Sequence, residues 1–436
     1  MRMPPLFYPV ARRSDVLARN VAAGASRCAQ PASVVRRTRP MAALPIASIA
    51  QLPTGPNAMT KSAPQWQSTP LYDQHLLLRA RMGDVDGWKL PVAYGSQIEE
   101  HHAVRKDAGM FDLSHLCVAD LRGPDARMML GRLLSNDVGK LKTPGKALYS
   151  CMLDTSGGVI DDLVVYYLGP QHYRAVLNAR TAVGDIAWIR ARIHEAGAEV
   201  TVVPRRPDCV TAGIEPLAVI AVQGPRAREK VIRAIPATRH AETLKPFNST
   251  FVRDPEAGEL MVARTGKTGE DGFELMVAAR HAGRLWDRLH SAGIVAAGHE
   301  AWDTLRLEAG VHRHGHDLDV HTSPLDAGLG WSVDLDSGRD FCGRSAVRAR
   351  GQTQQLVGLA LEGSGAVPPA HSTVSSEEGA VIGKVTSATY SPTLGFAIAL
   401  ARVAPGVGIG DRVTVEVYRN RIVAQVVRTP FVRGAS

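Results

Sequence analysis

At 436 residues, 45% of them hydrophobic, the chain is too long for one hydrophobic core and ordinary in composition, so two or three packed units are expected. Its five cysteines are scattered, odd in number and form no Cys-x-x-Cys pair, which supports neither a disulfide framework nor a zinc ribbon and favours a reducing compartment. No apolar run approaches the roughly 18 residues of a membrane span, and most of the net charge of +9 lies in residues 1–60, leaving a nearly balanced body without the basic face of a nucleic-acid binder.

Residues 1–60 carry eight arginines against one acid, Asp15, and show no sustained apolar period, so they read as a disordered Arg/Ala/Pro-rich extension. An organellar transit peptide has a similar composition, but Pro4, Pro5, Pro9, Pro31, Pro40 and Pro45 interrupt the amphipathic helix it needs. The extension reading implies a bacterial cytoplasmic protein; the transit-peptide reading implies a mitochondrial one.

Helical apolar spacing appears at 97–108, followed by short strand-like pieces rich in β-branched residues at 117–121, 163–167, 173–177, 217–222 and 259–263. Helical stretches at 181–196, 225–234 and 281–292 lie between them. Strands and helices alternate without a Gly-rich nucleotide fingerprint, so the expected class is α+β rather than a doubly wound parallel sheet. Residues 363–379 read as a Ser/Pro/Gly loop, and 381–386, 396–401, 412–418 and 421–427 as closely spaced strands of a small closing β-barrel. The expected division is 66–349 for two α+β subdomains and 350–433 for the barrel.

Two features carry possible chemistry before any comparison is made. Asp161 and Asp162 sit between a Gly-Gly turn and an apolar strand; if the strand has begun, their side chains point to opposite faces and only one reaches a given cavity. A solvated, capping Asp-Asp turn is the bland alternative. His312, His314 and His316 alternate, which on a strand would place them on one face able to bind a metal.

Several segments occur in a recognisable order: TPLYDQH at 69–75, GSQIEEHH at 95–102, AGMFDLSH at 108–115, GKALYS at 145–150 and GGVIDDLVVYY at 157–167. AVQGP at 221–225, TGEDGFEL at 268–275, DTLRLEAG at 303–310, SPTLGFAIALARV at 391–403 and PFVR at 430–433 continue it. Together they cover essentially all of 69–433, and the chain resembles the glycine-cleavage T-protein family of aminomethyltransferases. That resemblance implies a three-domain ring of two α+β domains and a C-terminal barrel around a central opening that holds tetrahydrofolate. It also implies the reaction, in which the aminomethyl group on the lipoyl arm of the H-protein passes to tetrahydrofolate with release of ammonia. No metal, membrane or nucleic acid enters.

Matched residue by residue, the resemblance makes Asp162 the catalytic carboxylate, with Asp161 second, and Glu274 the acceptor of the pterin edge. A carboxylate beside the reacting amine can orient it and stabilise developing positive charge. Tyr149 and Asn178 match family positions near the folate, and Arg433 a basic position able to face its tail. Three positions depart: Lys267 stands for a common tyrosine, Trp302 for a usual arginine, and Leu116 for a methionine, with His299 and Glu300 replacing smaller residues. If Lys267 and Trp302 reach one cavity, they exchange charge and ring between two segments, the lysine pairing with a folate carboxylate and the indole stacking on a flat ring. The departures leave room for a paralogue using another N- or S-methyl donor, or for a folate-binding protein without transfer activity. The Lys-Gly-Cys-Tyr motif of the iron–sulfur repair subgroup does not occur.

Overall fold

The computed structural model describes residues 66–208, 213–363, 365–418 and 420–434; the proposed extension at 1–60 lies outside them. Two antiparallel sheets form the body. The first has five strands in the order Ala147–Leu153, Val159–Gly169, His172–Leu177, Cys117–Arg122, Thr201–Pro204. Its outer face is covered by the helices Ala126–Leu133 and Ala182–Glu195, whose Met129, Leu130, Ile186 and Ile189 pack on Leu163, Val165 and Leu121. The second sheet orders Ser249–Asp254, Gly258–Ala263, Gly272–Ala278, Leu217–Gln223, Gly109–Asp112 and Val295–Ala296, with only the last pairing parallel. Helices Ala227–Ala234 and Ala282–Ser291 cover it through Val231, Leu285, Trp286 and Leu289.

The uncovered faces of the two sheets meet. Val164, Tyr166 and Val118 from the first pack against Val219, Ala221, Met261 and Met276 from the second, along with Phe111, Trp302 and Leu305. The central strand Leu217–Gln223 is consequently buried along its whole length, covered by helices on one face and by the other sheet on the other. That double burial is why it reads as an unbroken apolar run with no alternation.

Six strands from Gln355–Leu361 to Asn420–Val427 close into the C-terminal barrel, filled by Leu359, Val374, Val385, Ala399, Val413, Val415 and Val426. The 363–379 segment is not all loop: Thr373–Ser375 is a barrel strand, short enough to be hidden among serines and glycines. The strand expected at 381–386 runs on to Ser391, past an irregularity of register between Val385 and Ser387. There the buried polar Thr386 and Ser387 face the body and donate to Asp317, Ser387 at 2.8 Å. Helix His299–Glu308 joins body to barrel: Leu307 packs on Ile398 and Leu400, while Glu308 accepts from Arg105 at 2.8 Å and Thr393 at 2.8 Å. No helix among the described residues is long and apolar enough to cross a membrane.

Candidate active site between the two sheets

The strand Val159–Gly169 decides which of the adjacent aspartates faces the inter-sheet space. Opposite it, Met152 pairs with Asp161 and Leu153 with Val159, so Ile160 is an extra residue in a β-bulge. Ile160 packs with the helix-side cluster, as do Leu163 and Val165, whereas Val164 and Tyr166 belong to the inter-sheet cluster. By this alternation Asp161 turns to the helices and Asp162 to the space between the sheets. Both are buried, at 0% and 4% exposed.

Their partners differ accordingly. Asp161 accepts from the backbone N–H of Asn178 at 3.1 Å and from its Nδ2 at 2.8 Å, and lies against Asp185 of the helix Ala182–Glu195. Burial and the nearby Asp162 push the Asp161 carboxyl upward; burial and Asp161 push Asp185 up to about 9, so the pair retains a proton at neutral pH. Asp162 accepts from Tyr149 Oη at 3.1 Å and from Asn178 Nδ2 at 3.0 Å, with Lys267 Nζ 3.9 Å away. The Tyr149 ring stacks on Trp331 with centroids 5.4 Å apart, fixing the hydroxyl that reaches Asp162.

The second sheet contributes Glu274. In Gly272–Ala278, Phe273 and Leu275 pack toward the helices and Met276 toward the other sheet, so Glu274 shares the inter-sheet face with Met276. It is not the surface glutamate that alternation with two apolar residues would otherwise suggest. Thr265 donates to its Oε2 at 2.5 Å and lies 3.0 Å from Tyr166 Oη, linking the two sheets through hydroxyls. Burial raises the Glu274 carboxyl from its usual range.

Two cavities meet at this point. The larger, about 740 Å³ of space between atoms and partly open to solvent, is lined by Leu116, Asn178, Lys267, Glu274, Trp302, His115, His299, Arg180, Arg306 and Arg313, among others. The smaller, about 480 Å³, is lined by Tyr149, Val164, Phe247, Thr265, Lys267, Glu274, Val311 and Trp331. Lys267 and Trp302 therefore do reach one cavity, although the Lys267 ammonium sits beside Asp162 and the indole is held edge-on to Phe111 at 4.9 Å. Arg433 is exposed and lines neither cavity, so the structure does not bring it to the other candidates.

Sequence reasoning gave no role to Thr265, Arg180, Arg313 or His115, although His115 ends the AGMFDLSH segment. His115 is pushed down to about 3 by burial and by His299, and His299 down to about 4 by burial and by Arg313, so both rings are neutral. His312 and His314 turn to the carbonyls of Ala327 and Val159 at 2.7 and 3.3 Å instead of converging. Among the described residues no group of three or more His, Cys, Asp or Glu is arranged to hold a metal ion.

The fold and site define a class: an α+β body of two facing sheets, closed by a small barrel, with Glu274 of one sheet on an inter-sheet cavity and the buried Asp162 of the other beside the Lys267 that lines it. Residues 71–337 match the family model described as the GCVT N-terminal domain, and 354–433 that of the glycine cleavage T-protein C-terminal barrel domain. An aminomethyltransferase from Cupriavidus taiwanensis is 56% identical over 367 residues, spanning 84% of this chain and 97% of the relative. One from Ralstonia pickettii is 54% identical over 369 residues, spanning 84% and 98%. The crystal structure of glycine cleavage system aminomethyltransferase T from Bartonella henselae superposes with a TM-score of 0.76 at 29% identity, covering 85% of this chain and 99% of that one. The chain belongs to the glycine-cleavage T-protein family.

Proposed function

We propose that this protein is a tetrahydrofolate-dependent aminomethyltransferase of glycine cleavage, working in the bacterial cytoplasm on a lipoylated H-protein. The single observation that carries the reading is that Lys267, its Nζ 3.9 Å from Asp162 of one sheet, lines both inter-sheet cavities together with Glu274 of the other. The residues fit a reduced folate. Glu274 gives one oxygen to Thr265, and its other oxygen takes no hydrogen bond from the described residues, which leaves it open to the adjacent amino and ring N–H of a pterin. Leu116 and Trp302 supply apolar wall, and Arg180 and Arg313 supply charge for the acidic tail. On this reading Arg433 is the least supported of the folate contacts, and residue 350 remains the proposed boundary before the barrel.

The folate supplies two ring-system nitrogens that take up the donor carbon. Overall the sulfur–carbon bond of the donor and its carbon–amine bond break, two carbon–nitrogen bonds to folate form, and the two protons lost from those nitrogens appear on the lipoyl thiol and on ammonia. Asp162 is placed to orient the attacking nitrogen and to stabilise the cationic carbon. Tyr149 and Asn178 hold its two oxygens, so that it meets the substrate without reorganising. Neutral His115 and His299 add no competing charge to the cavity wall.

The test is direct assay of the purified protein for methylenetetrahydrofolate and ammonia, given aminomethylated H-protein and tetrahydrofolate. Formation of both products supports the proposal. Failure with that donor, but methyl transfer from an N- or S-methyl compound to give methyltetrahydrofolate, would reassign the donor; tight folate binding with no transfer from any of them would remove the activity.

A further inference from the structure

Lys267 is the charged group that the mechanism above leaves without a task. A third of its side chain is exposed, it lines both cavities, and its Nζ stands 3.9 Å from Asp162 Oδ2, too far for a good hydrogen bond. Its charge also acts on Glu274.

The backbone under it is fixed. Gln223 Nε2 donates to the Thr265 carbonyl at 3.1 Å, and Gln223 Oε1 accepts from Thr268 Oγ1 at 3.0 Å, so one buried side chain clamps the segment on both sides of Lys267. At Gly266 any Cβ would stand 1.9 Å from Gln223 Oε1, so only glycine permits that clamp. Lysine here is a rotatable donor on a rigid mount.

Its place in the site follows from the order of atoms around a pterin. Reading on from the amino group and the adjacent ring N–H, which suit Glu274, the next polar atom is the 4-oxo oxygen, and beyond it comes the reacting nitrogen, which suits Asp162. The oxo oxygen is an acceptor. A carboxylate, which only accepts, cannot satisfy it; an ammonium offers three donors and no acceptor. Lys267 stands 3.9 Å from Asp162 and lines both cavities with Glu274, on which its charge acts.

We propose that Lys267 donates a hydrogen bond to the 4-oxo oxygen of the bound pterin, so that Glu274 and Lys267 together read its amino, N–H and oxo groups as one pattern. Lys267 is then a specificity-determining residue that favours 4-oxo over 4-amino pterins. This inference rests on the folate reading of the site.

The experiment compares tetrahydrofolate with its 4-amino-4-deoxy analogue, each titrated by calorimetry into the full-length wild-type protein and into Lys267→Met and Lys267→Ala. The 4-amino group is a donor and meets the ammonium unfavourably, so the wild type should prefer tetrahydrofolate by about a hundredfold or more, the scale at which sites built around one hydrogen bond discriminate. Both variants should lose about tenfold or more of that preference, through weaker tetrahydrofolate binding and undiminished analogue binding. Retained analogue affinity also reports an intact fold. The proposal is overturned if the preference is unchanged in the variants, or if both ligands weaken by the same factor. A wild type that binds neither ligand would instead defeat the folate reading itself.

Discussion

The two faces of the strand Val159–Gly169 carry the same functional group to opposite ends. On the helix side Asp161 is enclosed, and burial together with neighbouring carboxylates raises both it and Asp185; on the inter-sheet side Asp162 meets a hydroxyl, an amide and an ammonium beside a cavity. A buried carboxyl without cationic company rises in pKa and becomes neutral structure, whereas one surrounded by donors can act on a substrate. Asn178 ties the two together, donating from Nδ2 to both carboxyls.

The strongest way to break this contrast is to neutralise each aspartate in turn. Asp162→Asn should lower turnover by about a hundredfold or more while changing folate affinity far less, as loss of a preorganised electrostatic partner does. Asp161→Asn should cost turnover no more than about tenfold, and should act instead on stability, because the amide cannot accept both hydrogen bonds from Asn178. Steady-state kinetics on both variants with melting curves would reverse the assignment if Asp161→Asn were the more damaging to turnover.

Across the cavity, Glu274→Gln should do the opposite of Asp162→Asn. It should weaken tetrahydrofolate binding by about 1–3 kcal/mol and leave turnover at saturating folate within a few-fold, since the lost partner serves binding in ground state and transition state alike. Titration of the variant would contradict this if affinity were unchanged.

A further contrast is in pH dependence, where the two sides of the site should differ in sign. Unfolded, Asp185 ionises near 3.8; folded, it holds its proton to about 9, so the native state carries the extra proton between those values and stability declines as pH rises through that window. Asp185→Asn removes the decline, gaining on the wild type by at most about 1.4 kcal/mol per pH unit, from acid toward pH 9. His299 behaves inversely. Unfolded, it takes a proton below about 6.5, but folded only near 4, so its cost appears as pH falls between those values, and His299→Gln should gain on the wild type in the acid range. Urea denaturation of both variants from pH 4 to 9 would refute the comparison if the two gains ran in the same direction.

Local pattern in this sequence was enough to place most strands and helices, because the β-branched runs and the 3.6-residue spacings survive in the packed molecule: 173–177 and 217–222 fall within His172–Leu177 and Leu217–Gln223, and 181–196 brackets the helix Ala182–Glu195. It missed Thr373–Ser375, where three residues gain their strand character only from the barrel neighbours they pair with. The ordered motifs by themselves determined the family and singled out Asp162, Glu274, Tyr149 and Asn178, since such motifs are contiguous in the chain. Which of Asp161 and Asp162 faces the inter-sheet space needed tertiary structure: the extra residue at Ile160 sets the alternation, and a bulge exists only relative to a partner strand. Residue type alone likewise could not place Lys267 beside Asp162 or leave Arg433 outside both cavities, because those positions depend on how two sheets more than a hundred residues apart in places come to face each other, and side-chain chemistry carries no information about that distance.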